Sequence, residues 1–329
     1  MPRLTNLDNP GSLRTFRRNL LAWYRVHQRP LPWRKTKDPY RIWVSEIMLQ
    51  QTRVTAVVEH YKRFLKSFPT PRHVAATDEA AVLTAWSGLG YYRRARMLHH
   101  AAKTLVVDRS GRIPETAVEL RTLPGIGRYT ANAIASIAFG EAVAVVDGNV
   151  ERVIARMLGK KISGERLWGI AQTLLDPDSP GDFNQAMMEL GATICIPGVP
   201  LCHTCPVRKQ CASRGSERDN VGVPEKRSPR SSSVLLIRRR GEVLLRQRGR
   251  EERLMPGMWE LPEARRTISR EPLLRVKHSI TTSDWHVSVF ACNQPQTGIG
   301  GHWVPIAGIS RLPLTGLTRK IFQKLALFS

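Results

Sequence analysis

Four of the chain's five cysteines lie within seventeen residues, in the segment CIPGVPLCHTCPVRKQC, and this compact group limits what the surrounding chain can fold into. Successive cysteines are separated by six, two and five residues. In a reducing compartment, such a group of thiols is more often a metal site than a set of disulfides. Structural zinc usually takes two CxxC-like pairs about a dozen or more residues apart, whereas one compact loop of four thiolates suits a 4Fe-4S cluster. We therefore predict a 4Fe-4S cluster in loop 195–211, held by Cys195, Cys202, Cys205 and Cys211. The alternatives are zinc and, after it, unligated thiols.

The charge of the chain indicates a polyanionic partner. Lys and Arg number 51 against 27 Asp and Glu, which gives a formal net charge of +24. Nucleic acid is the partner this favours. The alternatives are a basic surface without such a partner, or an anionic membrane.

The sequence also predicts where the chain works. The longest apolar run, residues 131–146, is interrupted by Asn132, Gly140 and Glu141, so it falls short of the roughly 18 residues of a membrane span. The first twenty residues lack the apolar core of a secretory signal. We expect a cytoplasmic monomer without a membrane partner, associated with the nucleoid if the host is bacterial. Cys292, in the apolar stretch VSVFAC, is expected to be an inert core residue.

The period of the apolar residues divides the chain into two domains. From Tyr40 to about Gly215, apolar residues recur at spacings of three and four, as in VTAVVEHYKRFLKSF, which predicts a helical domain over 1–212. The Ser-, Pro- and charge-rich segment 213–232 is typical of a linker. Beyond it, over 233–329, the period changes to two and predicts a small α+β domain.

Two details of the second domain can be predicted from its pattern. SVLLIRRRGEVLLRQR reads as two strands joined by a turn at Arg240 and Gly241. HVSVFAC and GHWVPI continue the strands, and LTGLTRKIFQKLALF is predicted to close the chain as an amphipathic helix.

The segment LPGIGRYTANAIASIAFG places a proline and two glycines between helical stretches. Without side chains at Gly125 and Gly127, a nucleic acid backbone can approach the N–H groups at the start of the next helix, where the helix dipole favours an anion. The pattern thus indicates a phosphate-binding hairpin. The alternative is an ordinary corner between two helices.

Three motifs together carry a family resemblance. LPGIGRYTA, the downstream VDGNV and the cysteine loop resemble the helix-hairpin-helix DNA glycosylases of the endonuclease III superfamily. WRKTKDPYRIWVSEIMLQQTRV is similar to the MutY-type adenine DNA glycosylases, and the resemblance covers residues 20–212. It implies a mainly α fold with two helical lobes and a cleft between them. It also implies a role in base excision repair, with adenine mispaired with 8-oxoguanine or guanine in double-stranded DNA as the substrate.

Two carboxylates fit the chemistry of breaking a bond from sugar to adenine, because the departing base needs a proton and the sugar cation needs a counter-charge. Glu46 lies among apolar residues in RIWVSEIML, where burial would raise its pKa and let it act as the acid. Asp147 precedes GNVERVIARML and reads as a helix N-cap. The resemblance implies that Glu46 protonates adenine N7 and that Asp147 stabilises the cation, with Asn149 and Tyr129 in support.

Tyr129 separates relatives with different chemistry. In members that also cleave the strand, the residue after GxGR is a lysine that forms a Schiff base with the sugar, whereas here it is a phenol. We therefore predict base removal without an efficient lyase step. Further DNA contacts that the resemblance and the hairpin imply are Arg34, Leu49, Gln51, Tyr91 and Arg128.

GEVLLRQRGREERLMPGMWELPE resembles the start of the Nudix-like domain found at the C-terminus of MutY-type enzymes. A Nudix hydrolase needs a downstream helix with the motif REUxEExGU (U, aliphatic), but ARRTISREPLLRVKHS offers only Glu271, so pyrophosphate hydrolysis is not expected. In the family a Phe-Ser-His turn recognises 8-oxoguanine. We place the matching turn at residues 276–278, where only His278 is retained.

The sequence favours a monofunctional adenine DNA glycosylase that leaves an abasic site. A thymine-mismatch or pyrimidine-specific glycosylase of the same superfamily is the first alternative. A non-catalytic, metal-containing DNA-binding regulator would fit the charge and the cysteines but leaves Glu46 and Asp147 unexplained.

Overall fold

The computed structural model describes residues 9–214, 228–252, 254–280 and 283–327. These residues form two compact units. The first comprises Met1–Tyr61, Thr70–Arg72 and His100–Val223, and the second comprises Lys62–Pro69, His73–His99 and Pro224–Ser329. The two units divide the helical region differently from the sequence pattern, which predicts one domain over 1–212.

The predicted helical region is helical, and one helix begins before the predicted start at Tyr40. Asn9 caps that helix by accepting a hydrogen bond from the Gly11 N–H, and Pro10 occupies its first turn. The helices are α1 Pro10–His27, α2 Pro39–Leu49, α3 Val54–Ser67, α4 Pro71–Ala76, α5 Glu79–Trp86, α6 Arg93–Arg109, α7 Ala117–Leu120, α8 Arg128–Phe139, α9 Gly148–Leu158, α10 Gly164–Leu174, α11 Pro180–Thr193 and α12 Gly316–Lys324. Short 3₁₀ helices lie at Pro32–Lys35, Cys202–Thr204, Arg208–Gln210 and Ile306–Arg311.

In the first unit, α11 is central and contacts α1, α8 and α9, while α2 packs on α8. Apolar side chains of α1, α9, α10 and α11 form one core, with Phe16 and Phe183 in edge-to-face contact. Gly181 lets α11 approach α8, because a Cβ there would lie 2.7 Å from the carbonyl oxygen of Ser136. None of the helices in the described ranges is both long enough and apolar enough to cross a bilayer.

The second unit contains a six-stranded mixed sheet. Its strands are β1 Ser228–Arg239, β2 Glu242–Gln247, β3 Trp259–Glu260, β4 Leu274–Ile280, β5 Ser283–Cys292 and β6 His302–Pro305. The order is β3-β2-β1-β5-β4, and β6 pairs with β2. β1 and β5 are parallel and the other pairs are antiparallel. The hairpin predicted at Arg240 and Gly241 is confirmed, and both residues have positive φ, 43° and 80°.

Two sequence-based boundaries in this unit are wrong. Most of the predicted linker, 215–227, lies outside the described residues, but β1 already begins at Ser228 because Ser228–Ser233 pair in register with Ser283–Ser288 of β5. The turn predicted at 276–278 is part of strand β4, where Val276 and His278 pair with Val287 and Trp285. The alternating burial of β4 continues through these residues, so no turn can form there.

Candidate functional site

Glu46 lies on the buried face of α2 and is 5 % exposed. Burial raises the pKa of its carboxyl to about 7, because the charged form is poorly solvated there. The hydrogen bond from Tyr129 opposes this shift, the nearby charge of Asp147 reinforces it, and the charge of Arg34 opposes it. The burial predicted from the apolar neighbours is observed, and the carboxyl is set to exchange a proton near neutral pH.

Tyr129 lies in the first turn of α8, directly after the glycine hairpin. Its hydroxyl donates a hydrogen bond to Glu46 Oε2 at 2.7 Å and also approaches Met188 Sδ at 3.5 Å. Burial, followed by the charges of Glu46 and Asp147, raises the pKa of Tyr129 well above its usual value. The phenol therefore stays protonated and acts as a hydrogen-bond donor that orients the Glu46 carboxyl.

Asp147 is the N-cap of α9, as predicted from its position before GNVERV. Its Oδ1 accepts a hydrogen bond from the Val150 N–H at 2.8 Å, and its Oδ2 accepts one from Asn149 Nδ2 at 2.9 Å. The negative charge of Asp147 raises the pKa of both Glu46 and Tyr129. The structure thus brings together the four residues for which the sequence predicted a catalytic role.

A buried ion-pair group that the sequence did not indicate lies beside this site. Glu189 of α11 is fully buried and accepts hydrogen bonds from Arg29 Nη2 at 2.6 Å and from Arg34 Nη2 at 2.8 Å. Despite its burial, the hydrogen bonds from Arg29 and Arg34 and the charge of Arg34 lower the pKa of Glu189 to about 2. Arg34 is consequently fixed in a position from which its charge acts on Glu46.

The glycine hairpin lies between α7 and α8. Gly125 has a φ of 76°, which a side chain would strain, and Gly127 is the exposed N-cap residue of α8. No atom lies within 4 Å of the position that a Cβ of Gly127 would take, and no side chain caps the helix. The first N–H groups of α8 are therefore accessible to an external acceptor. Beside them, Arg128 donates to Glu165 at 2.6 Å and lies over the ring of Trp168.

Three of the remaining predicted DNA contacts lie at or just beyond the ends of helices, and the fourth lies in a strand. Leu49 is half-buried and is the last residue of α2. Gln51 lies two residues later, is exposed and has a φ of 55°. In the second unit, Tyr91 lies between α5 and α6 with a φ of 47° and is 47 % exposed. Its neighbour Tyr92 is anchored by a hydrogen bond from its hydroxyl to the carbonyl oxygen of Leu314 at 3.2 Å. His278 is half-buried in β4, and burial followed by the charge of Lys320 lowers its pKa.

The four clustered cysteines line one space in the first unit. Among the described residues, no three His, Cys, Asp or Glu side chains converge closely enough to hold a single metal ion. Burial raises the pKa of Cys205 to about 11, so this thiol would need a metal to ionise. The fifth, Cys292, is half-buried and accepts a hydrogen bond from Arg270 at 3.1 Å. It therefore lies at the edge of its core and not inside it as expected.

Two arginines of α9 that are absent from the predicted site residues hold the cysteine loop. Arg156 donates to Cys195 Sγ at 3.3 Å and to the Ile196 carbonyl oxygen at 2.8 Å. Arg152 donates to the Cys195 carbonyl oxygen at 2.8 Å and to Asn149 Oδ1 at 2.9 Å. Their spacing of four residues on one face of a helix was the available signal. One helix thereby connects the loop to the pair formed by Asn149 and Asp147.

Gly191 of α11 allows a close contact with α9. A Cβ at this position would lie 2.6 Å from the Cβ of Asn149. We predict that Gly191→Ala lowers the free energy of unfolding by about 1–3 kcal/mol through overpacking, and displaces Asn149 from Asp147. Chemical denaturation measures the change in the free energy of unfolding. Gly169→Ala is the matched control, because no atom surrounds that Cβ position and alanine should stabilise the interior of α10 by about 0.5–1 kcal/mol. Equal effects of the two substitutions would contradict the close contact.

Comparison with known proteins gives consistent matches in both parts of the chain. Residues 44–165 match the model of the HhH-GPD superfamily of base excision DNA repair proteins, and residues 233–324 match a NUDIX domain model. The chain is 48 % identical over 211 residues to the adenine DNA glycosylase of Rattus norvegicus and 47 % identical over 214 residues to that of Homo sapiens, covering 60 % of this chain in both cases. It is 39 % identical over 309 residues to the Arabidopsis thaliana enzyme, covering 79 % of this chain.

The chain spans less than half the length of these three relatives, 41 %, 39 % and 49 %. Among solved structures, a thermostable thymine-DNA glycosylase matches with a TM-score of 0.60 and 30 % identity, covering 63 % of this chain and 98 % of that one. A trapped endonuclease III–DNA covalent intermediate shares the fold, with a TM-score of 0.56 at 23 % identity, covering 63 % of this chain and 98 % of that one.

Proposed function

Because the chain belongs to the HhH-GPD superfamily of base excision DNA repair proteins and carries a Nudix-like C-terminal domain, we propose that it is a monofunctional adenine DNA glycosylase. It would extrude adenine mispaired with 8-oxoguanine or guanine and leave an abasic site. The observation that carries the proposal is the buried Glu46, with a pKa of about 7 and a hydrogen bond from Tyr129, beside the charge of Asp147.

The geometry supports a division of labour between the two carboxyl groups. Glu46, when protonated, gives its proton to the adenine, so that the electron pair of the bond to C1′ can leave with a neutral base. Asp147, held by Asn149 and the Val150 N–H, keeps a fixed negative charge against the sugar cation that forms. Water then completes the replacement at C1′. Tyr129 supplies no amine for a Schiff base, which supports base removal without strand cleavage.

DNA is the partner that the hairpin fits. The uncapped N-terminus of α8 and the open space at Gly127 suit a phosphate, while the net charge of +24 favours a polyanion generally. Extruding a base costs a few kcal/mol, which such contacts have to offset. For recognition of the opposite base, His278 remains a candidate, but its position inside β4 gives less support than a turn would.

A thymine-mismatch glycosylase is the second candidate, because the thymine-DNA glycosylase structure matches at 30 % identity. The NUDIX match and the higher identity of the adenine glycosylases favour adenine. The test is release of free base from duplexes with A opposite 8-oxoguanine, A opposite G, and T opposite G. Adenine release supports the proposal, and thymine release alone contradicts it. Borohydride should trap no efficient protein–DNA adduct.

The predicted dependence of the reaction on pH follows from Glu46. Because the acid has to be protonated and its pKa is raised to about 7, the single-turnover rate should be constant at low pH and fall as pH rises through about 7. The measurement is a pH profile with enzyme in excess over DNA. A rate that increases across the same range would indicate that Glu46 acts as a base.

The cysteine loop fits a 4Fe-4S cluster better than a single zinc ion. The four thiols line one space, but no three of them converge closely enough to hold a single metal ion in the described part of the chain. The buried Arg156 beside Cys195 would offset part of the negative charge of four thiolates. The cluster would serve to hold the loop in place, a structural role that requires no change of oxidation state.

Metal analysis tests the assignment of a 4Fe-4S cluster, and the fifth cysteine, Cys292, provides the control. We predict about four iron atoms per chain in protein purified without oxygen, and visible absorption typical of iron–sulfur clusters. Cys205→Ser should lose the iron, because a ligand is removed. Cys292→Ser should keep all of it, since Cys292 lies in the other unit. Zinc in place of iron would show that the alternative holds.

A further inference from the structure

One face of the sheet in the second unit carries two rows of polar and basic residues. The register aligns Lys277 of β4 with His286 of β5 and Ser231 of β1. The next row aligns Arg275, Ser288 and Ser233 in the same way. The intervening Val276 and Val287 point to the opposite face, where they are buried in the core that includes Ile321 and Phe322 of α12. The polar rows therefore line the face opposite α12.

This polar surface is a groove with a basic rim. Further along the same face, Leu235, Ile237, Leu244 and Phe290 are covered by Ala264, Ile268, Ile299 and Trp303. Residues 264–268, which have no regular structure, bring the exposed Arg265 and Arg266 to the edge of the groove. The groove has a volume of about 740 Å³, and its charged lining residues are exposed.

The charges in the groove are strongly unbalanced. Its lining includes four cationic side chains, Arg265, Arg266, Arg275 and Lys277, and one carboxylate, that of Glu263. Lys277 forms an ion pair with Asp284 at 2.9 Å. Arg275 lies 3.9 Å from Glu271, and the side chains of Arg275 and Glu271 are both largely exposed. Within the ranges that the structure describes, neither Arg265 nor Arg266 forms an ion pair.

The segment that carries part of the groove is basic and irregular. A Nudix hydrolase would need a glutamate-rich helix in the segment that follows WELPE, but here residues 261–273 form no helix and contain three arginines and two glutamates. Arginine side chains of this kind bind phosphate directly. Serine hydroxyls in both rows add hydrogen-bond donors for phosphate oxygens.

We propose that this groove binds the sugar-phosphate backbone of duplex DNA and gives the Nudix-like domain its own sequence-independent contact. The proposal rests on DNA being the partner of the chain, as proposed above. A polymer is favoured over a nucleoside phosphate by the spread of the cations, which lie on β4 and on residues 265–266 and do not converge on one point. Arg265, Arg266 and Arg275 are the residues on which it depends.

The test uses the full-length protein and a duplex without a mispair. In the triple variant Arg265→Ser, Arg266→Ser and Arg275→Ser, the slope of log K against log salt should become shallower by about 2–3, because each lost phosphate contact removes about 0.9. The matched control replaces three exposed arginines of the same unit outside the groove with Ser: Arg238, Arg250 and Arg311. It removes the same charge and should change the slope by less than about 1.

Further arms separate the outcomes. Replacing the same three groove arginines with Lys should keep the slope, since lysine binds phosphate as a point charge. Equal changes in the groove and control triples would overturn the proposal. So would stabilisation by a nucleoside diphosphate or inorganic phosphate that needs the groove arginines while the DNA slope stays constant. Single-turnover adenine release at saturating DNA should be unaffected, so loss of the groove contact and failure of the proposed enzyme activity give different results.

Discussion

Glu46→Gln is expected to lower the single-turnover rate of adenine release by about a hundredfold to ten-thousandfold, the usual contribution of a general acid. The amide has nearly the shape of the carboxyl group and can still accept the hydrogen bond from Tyr129 at the oxygen, but it cannot deliver a proton. Binding of the mispaired duplex should change little. The measurement is release of free adenine with enzyme in excess, with a parallel binding titration.

Tyr129→Phe is the companion variant, because it removes the hydrogen bond and leaves the acid in place. That bond lowers the pKa of Glu46, so its loss should move the decline in rate to higher pH while reducing the rate less than Glu46→Gln does. Glu46→Gln, in contrast, should abolish the decline itself. If Glu46→Gln retained its rate within about tenfold, another group would have to protonate the base.

The sequence was sufficient for the parts of the site that local pattern determines. Glu46 stands in an apolar helical segment, and such a segment is buried on most of its surface, so the raised pKa could be predicted before the structure was seen. Asp147 lies where an N-cap belongs, directly before an amphipathic helix. The turn at Arg240 and Gly241 follows the same logic, since its flanking strands alternate and glycine tolerates positive φ.

Contacts between distant segments could not be predicted in this way. Glu189 accepts hydrogen bonds from Arg29 and Arg34, which lie 160 and 155 residues away in the chain. Nothing local marks Glu189 as different from an exposed helix glutamate, because only the packing of α11 decides which of its faces is buried. The turn predicted at 276–278 was wrong for a related reason: it came from matching a turn motif and not from the strand register that β5 imposes.

Helix α9 shows how one element can serve both the reaction and the loop. Its first turn holds Asp147 and Asn149, and its next turns present Arg152 and Arg156 to the cysteine loop. Close packing of α9 on α11 at Gly191 restricts lateral movement of α9. Because this short helix is rigid, a displacement of the loop would be transmitted to the carboxylate. If the loop holds the proposed cluster, we expect loss of iron to reduce activity through this displacement alone.

Asp147→Asn should reduce the rate of adenine release by about a thousandfold with little change in stability. A charge about 4 Å from the sugar cation at an effective dielectric constant near 20 contributes roughly 4 kcal/mol, which corresponds to that factor in rate. Asparagine is as good an N-cap as aspartate, so its side-chain oxygen can still accept the hydrogen bond from the Val150 N–H. The substitution therefore removes the charge and keeps the cap.

Asp147→Ala separates the two roles further, because it removes the cap as well as the charge. It should show the same loss of rate as Asp147→Asn, together with a decrease of about 1 kcal/mol in the free energy of unfolding. Single-turnover assays and chemical denaturation of both variants measure the two quantities independently. Should Asp147→Asn keep the wild-type rate while Asp147→Ala loses it, the aspartate would act only as a helix cap. The cation would then have to be stabilised by another group.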